Sequence, residues 1–133
     1  MRYVTTAEAL FVAARVLEVP AEVLGTKHTI QLLESALHSP RATFDGTDLV
    51  EGIEMKAATL AFHVSRNHPL PDGNKRLAWM LLNMFLELNG VELVRDQARS
   101  ISLMWIVASG ETDVDGIRHV ISGWTRRKLP VTV

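Results

Sequence analysis

A chain of 133 residues with 47 % apolar side chains is long enough to bury roughly two-thirds of its unfolded surface in one domain and too apolar to stay disordered. Its net charge of −1 argues against a general nucleic-acid binder, which would carry a basic surplus. The absence of cysteine excludes a disulfide scaffold and thiolate chemistry, in keeping with a reducing cytoplasm.

The N-terminal apolar run is interrupted by Glu8 and Arg15, unlike a signal peptide. Thr5-Thr6-Ala7-Glu8 has the form of a capping box. Leu10, Phe11, Ala14 and Leu17 then recur at helical spacing until Pro20 stops the segment. A second helix is expected from about Thr29 to His38, with Ile30, Leu33 and Leu37 on its apolar face and Pro40 ending it. Residues Arg41, Ala42, Thr43, Phe44, Asp45, Gly46 and Thr47 break the period. Asp45-Gly46 is a strong turn signal, so this stretch reads as a small exposed flap or hairpin.

From about Leu49 to Asn67 the helical period returns through Ile53, Met55, Ala57, Leu60, Ala61 and Val64. Such a helix would run about 28 Å. Apolar residues lie nearly all round its middle, as in a central helix. Thr47 or Asp48 would cap it and Glu51 would favour its dipole. After a polar, proline-rich loop, Asn74 to Asn89 is helical through Leu77, Met80, Leu81, Met84, Phe85 and Leu88, with Asn89-Gly90 as the stop. Asn83 and Glu87 keep this apolar run short of a membrane span. Val91 to Val94 is extended. Asp96 would cap a helix to about Ser109 with Ile101, Met104, Trp105 and Ala108 as its core stripe. The last helix starts at Asp113, uses Ile117, Val120, Ile121 and Trp124, and ends near Arg126-Arg127-Lys128, whose charge would complement its dipole. The fold expected is all-α: a single-domain bundle over residues 1–133, with five to six helices and a flap between the second and third.

The chemistry gathers in His68-Pro69-Leu70-Pro71-Asp72-Gly73-Asn74-Lys75-Arg76. A loop opening into a helix presents free backbone N–H groups and the positive end of the helix dipole, a ready anion site. Gly73 and Asn74 leave the backbone close to a polyphosphate, and Lys75 and Arg76 add cations, the arginine with a planar two-pronged grip. Asp72 is a hard oxygen ligand suited to magnesium. His68 carries an imidazole that could serve as a general base for a hydroxyl. His63 and His68 are five positions apart, not the four that aligns two zinc ligands on one helical face.

His-x-Leu-x-Asp-Gly-Asn-Lys-Arg resembles the signature of the Fic/Doc (Fido) family, and specifically its Doc branch, the death-on-curing toxins. The resemblance runs from about Ile30 to Trp124 and takes in Leu32 to Leu37, the Arg41–Gly46 flap and Phe85 to Gly90. It implies transfer from ATP to a protein hydroxyl with magnesium. In Fic proteins the group transferred is typically AMP; in Doc it is a phosphate, placed on a threonine of elongation factor Tu to halt translation. His68 would be the base, Asp72 would bind magnesium, and Gly73, Asn74, Lys75 and Arg76 would hold the phosphates. The flap would align the target by backbone pairing. The usual partner is a Phd-like antitoxin whose disordered tail folds on binding.

Lys75 stands where AMP-transferring members have glycine, and Trp79 where they have a second arginine; both departures favour phosphate transfer by a kinase, with catalytic weight on Lys75. Thr47 to Gly52 matches a short inhibitory pattern of some Fic enzymes, but its partner arginine is the one replaced by Trp79. Leu70 replaces the family's phenylalanine, the side chain that anchors the loop. An AMP transferase and a catalytically silent partner-binding module are the competing readings. Neither nucleic acid nor membrane is expected as a partner.

Overall fold

The computed structural model describes residues 1–94, 102, 105–106 and 112–128. It is all-α in architecture, with helices α1 (Thr6–Leu17), α2 (Ala21–Leu24), α3 (Lys27–His38), α4 (Ile53–Asn67), α5 (Asn74–Leu88) and α6 (Val114–Ser122). Two antiparallel pairs accompany them: β1 (Thr43–Phe44) with β2 (Thr47–Asp48), and β3 (Val91–Leu93) with β4 (Thr125–Arg127). No helix among the described residues is long and apolar enough to cross a membrane. The helix expected from Asp96 to Ser109, with Asp96 as its cap, lies outside the described residues apart from Ser102, Trp105 and Ile106.

α1 opens on the expected capping box. The Thr5 hydroxyl accepts from the Glu8 N–H while the Glu8 carboxylate accepts from the Thr5 N–H. Its buried face differs from the expected stripe. Ala9, Val12, Ala13, Ala14 and Val16 are buried, whereas Phe11 is 61 % exposed. The alanines let α1 approach its neighbours closely, so small residues rather than the largest ones mark the inner face. α2, a single helical turn, was not anticipated, and α3 begins at Lys27 because the Thr26 hydroxyl caps it through the Thr29 N–H.

α4 is the central element. Lys56 to Leu60 are consecutively buried, and Ala61 and Val64 with them, as an apolar circumference requires. α5 packs against it through Leu77, Ala78, Leu81, Leu82, Phe85 and Leu86. The start of α4 differs from expectation. Thr47 and Asp48 do not cap it; they pair with Phe44 and Thr43 in the hairpin. The helix begins at Ile53 behind Gly52, whose φ of 88° supplies the change of direction, and Glu51 lies outside the first turn.

The C-terminal end also differs. α6 stops at Ser122 with Ile117 and Ile121 buried, and Thr125–Arg127 forms β4 against β3. Arg126 pairs with Glu92 at 2.6 Å and Lys128 with Glu87. The basic run therefore joins a strand to acidic partners instead of completing a helix dipole. Trp105, expected in the core, is 60 % exposed.

Candidate functional site

The turn between α4 and α5 is built from two left-handed residues with prolines between them. His68 ends α4 at φ 49°, ψ 57°, and Gly73 precedes α5 at φ 78°, ψ 13°. Pro69 is buried and Leu70 is 4 % exposed in the common core, so leucine supplies the loop's apolar anchor here. Gly73 meets two demands at once. Its φ suits glycine, and a Cβ there would come within 2.9 Å of Val16 Cγ1 and 3.5 Å of Leu17 Cδ2. The end of α1 thus backs the loop at the point where the backbone turns into α5.

Pro69 and Pro71 have no N–H, so Leu70 carries the sole backbone donor of that tripeptide, and it is buried. A buried N–H needs a partner. Asn74 provides it: Oδ1 accepts from the Leu70 N–H at 2.9 Å, and Nδ2 donates to the Leu70 carbonyl at 2.8 Å. Nδ2 also lies 2.9 Å from His68 Nδ1. Asn74, expected among the phosphate ligands, is 5 % exposed and spends its side chain inside the loop. What it offers an anion is its backbone N–H at the first position of α5. Among the described residues no side chain caps this helix, and the N–H groups of a first helical turn have no partner within the helix.

His68, Pro71, Asp72, Gly73, Asn74, Lys75 and Arg76 line one open cleft of about 310 Å³. His68, Asp72, Lys75 and Arg76 are exposed along it. Asp72 turns one oxygen to the Gly73 N–H at 2.8 Å, and its other oxygen takes no protein partner among the described residues. The described residues contain no cluster of three or more His, Cys, Asp or Glu able to hold a metal. A cation at Asp72 would complete its shell from phosphate oxygens and water, which is how magnesium binds. The carboxylate therefore fits that ion in company with a polyphosphate.

Sequence reasoning missed one neighbour of this cleft and one support of the flap. The Trp105 ring lies under the Lys75 ammonium, 5.3 Å from ring centre to Nζ. Periodicity assigned it to the core, because a helical stripe does not say which stripe faces inward. Lys56 is a charged side chain within the most buried stretch of α4, 3 % exposed. Its ammonium donates to the Pro40 carbonyl at 2.8 Å and reaches Asp48 at 3.5 Å. A lone lysine in an apolar stretch was the signal available, since such a charge requires partners.

The flap is a two-residue hairpin in which Asp45 (φ 53°) and Gly46 (φ 80°) both take positive φ, as the favoured tight turn demands. It is continued by a bond from the Leu49 N–H to the Ala42 carbonyl at 2.9 Å. Residues Arg41 to Leu49 are exposed, Phe44 at 74 %. The hairpin is tethered below: Lys56 holds Pro40 and Asp48, and the cations of Lys56 and Arg41 each sit 5.4 Å from the Tyr3 ring, which stacks on Phe85.

Comparison with known proteins follows the same elements. The Fic/DOC family model matches residues 3–86, a span that includes the flap, α4, the loop and most of α5. The chain is also 41 % identical over 95 residues to a protein named Toxin Doc from Mycolicibacterium smegmatis (strain ATCC 700084 / mc(2)155), covering 70 % of this chain and 73 % of that protein. On both the extent of the family match and the identity to that relative, this chain belongs to the Fic/DOC family.

Proposed function

We propose that the protein is the toxin of a toxin–antitoxin pair and that it transfers the γ-phosphate of ATP to a hydroxyl of a target protein, a threonine of elongation factor Tu, so blocking translation in the cytoplasm. The observation that carries this reading is the single loop that places an imidazole, a carboxylate, two cations and an uncapped helix N-terminus on one cleft. Phosphoryl transfer calls for those parts: charge compensation around the phosphates and a group to handle the nucleophile's proton. The first-turn N–H groups of α5, with Gly73, Asn74, Lys75 and Arg76, hold the phosphates. Asp72 holds magnesium, which supplies further charge neutralisation when bound. His68, exposed at the mouth, is the base for the hydroxyl. The hairpin edge at Arg41, Ala42, Thr43, Phe44, Asp45 and Gly46 aligns the target strand.

Lys75 favours phosphate over AMP transfer. An ammonium 5.3 Å over the Trp105 ring occupies the loop position where a glycine would leave room for a turned nucleotide. Leu70, packed in the core, supports an anchored and working loop over a silent one. The kinship to a Doc toxin supports a Phd-like antitoxin whose disordered tail folds on this protein.

The test is incubation with elongation factor Tu and ATP labelled at either the α or the γ phosphate. Transfer of γ label alone, lost in His68→Ala, is the expected result. Transfer of α label would replace the kinase with an AMP transferase, and transfer of neither would leave a partner-binding module.

A further inference from the structure

Asn74 is bound to its own loop through both Oδ1 and Nδ2, and this settles how its amide points. The Leu70 N–H can only donate and the Leu70 carbonyl can only accept, so the atom 2.9 Å from the former is Oδ1 and the atom 2.8 Å from the latter is Nδ2. The usual ambiguity between amide oxygen and nitrogen is thereby removed by the backbone. Of the two N–H groups on Nδ2, one serves Leu70 O and the other faces His68 Nδ1 at 2.9 Å. An amide nitrogen donates and does not accept. His68 Nδ1 must therefore be the accepting, unprotonated nitrogen, which leaves the proton of the neutral ring on Nε2.

This bears on the proton step. A base that works through Nε2 needs its lone pair there, yet the loop places N–H at that position and spends the lone pair on Asn74. We infer that Asn74 is a positioning residue that fixes His68 in the Nε2–H tautomer and masks Nδ1, the ring's only lone pair, until the ring turns away from the amide. In the resting loop His68 is then a hydrogen-bond donor, suited to an anionic phosphate oxygen. The base form appears on leaving Asn74. The target O–H bond breaks as its proton bonds to Nδ1, giving imidazolium with Nε2–H retained. The target oxygen bonds to the γ-phosphorus, and the phosphorus–oxygen bond to ADP breaks with its electron pair on the departing oxygen. The catalytic consequence rests on the proposed phosphate transfer; the tautomer itself does not.

The test is nitrogen NMR of the His68 ring, in protein carrying nitrogen-15 histidine, at alkaline pH where imidazole is neutral, with His68→Gln identifying the signals. Protonated and bare ring nitrogens resonate far apart. In the wild type the expected result is a bare Nδ1 and a protonated Nε2. Free histidine already leans toward that tautomer, so the variants decide. In Asn74→Asp the carboxylate accepts from the ring and the expected shift is an exchange of the two signals, Nδ1 becoming protonated. In Asn74→Ala the ring should relax to the mixture of free histidine. Circular dichroism checks that each variant is folded; if Asn74→Asp is not, the wild type and Asn74→Ala still separate a fixed ring from a free one. Nδ1–H in the wild type, or one tautomer balance across the folded proteins, overturns the inference. No ATP or target protein is present in this measurement, so its failure and a failure of phosphate transfer are separate results.

Discussion

Gly73→Ala tests whether the site loop leans on α1 as closely as the structure has it. Two costs add. Alanine at a φ of 78° enters the left-handed region at about 1–2 kcal/mol. Its Cβ would stand 2.9 Å from Val16 Cγ1, well inside the 3.5–4.0 Å of an ordinary carbon contact, and displacing a packed neighbour costs about 1–3 kcal/mol. The total expected is about 2–5 kcal/mol. Gly46→Ala is the reference: its φ is 80°, but a Cβ there meets nothing within 4 Å, so only the first cost, about 1–2 kcal/mol, applies. The assay is urea unfolding of wild type, Gly73→Ala, Gly46→Ala, Val16→Ala and the Gly73→Ala/Val16→Ala double variant, comparing midpoints at unchanged slope. Val16→Ala removes the atom that the new Cβ strikes, so the double variant should be more stable than the sum of singles by about 1–2 kcal/mol. Equal losses at Gly73 and Gly46, together with additivity to within about 0.5 kcal/mol, would refute the close approach.

Four other expectations follow from the same geometry. Leu70→Ala, which empties a site only 4 % exposed, should cost about 2–5 kcal/mol in urea unfolding, a loss that a merely surface leucine would not produce. Lys56→Met strips the Pro40 carbonyl of its donor, at about 1–3 kcal/mol, and should speed hydrogen exchange of the Leu49 amide in the flap while leaving α5 amides protected. The Glu8 carboxyl is held below its ordinary value of 4.5, chiefly by the Thr5 backbone N–H, with smaller lowering by the Thr5 hydroxyl and Arg2 against a raising effect of burial. Because the folded carboxyl is the stronger acid, its contribution is complete above pH 4.5 and is lost as pH falls through the lowered value; Glu8→Gln should flatten that limb of a stability-against-pH curve. Inorganic triphosphate should draw the Lys75 ammonium off the Trp105 ring and change indole fluorescence to saturation. Persistence of the response in Trp105→Phe would remove Trp105 from the site.

What the amino-acid pattern could reveal depended on range. The circumference of α4 and the Asp45-Gly46 turn are local properties, and both were legible. The inner face of α1 was not, because alanine periodicity is a weaker signal than the Leu10, Phe11 and Leu17 spacing that competes with it. β4 was hidden for another reason: Thr125-Arg126-Arg127 becomes a strand only through Val91–Leu93, more than thirty residues earlier, and pairing at that distance leaves no local mark. At the site, the spacing of His68 to Arg76 disclosed the parts, and the structure sets them along one cleft. The work of Asn74 was not visible in the motif, although a count of backbone donors across Pro69-Leu70-Pro71 would have asked where the Leu70 N–H goes.

The six residues His68–Gly73 join two helices that pack on each other, and this bears on the order in which the molecule assembles. A connection so short costs little closure entropy, so α4 and α5 can dock as a helical hairpin before distant contacts form. The cleft residues are carried within that hairpin and come into proximity as it closes. Pairing of β3 with β4 must wait for the chain to return across a much longer separation. A nascent chain that has emerged through α5 already contains His68, Asp72, Lys75 and Arg76 in sequence order for the cleft. The residues added afterwards brace the hairpin and bring Trp105 to its rim.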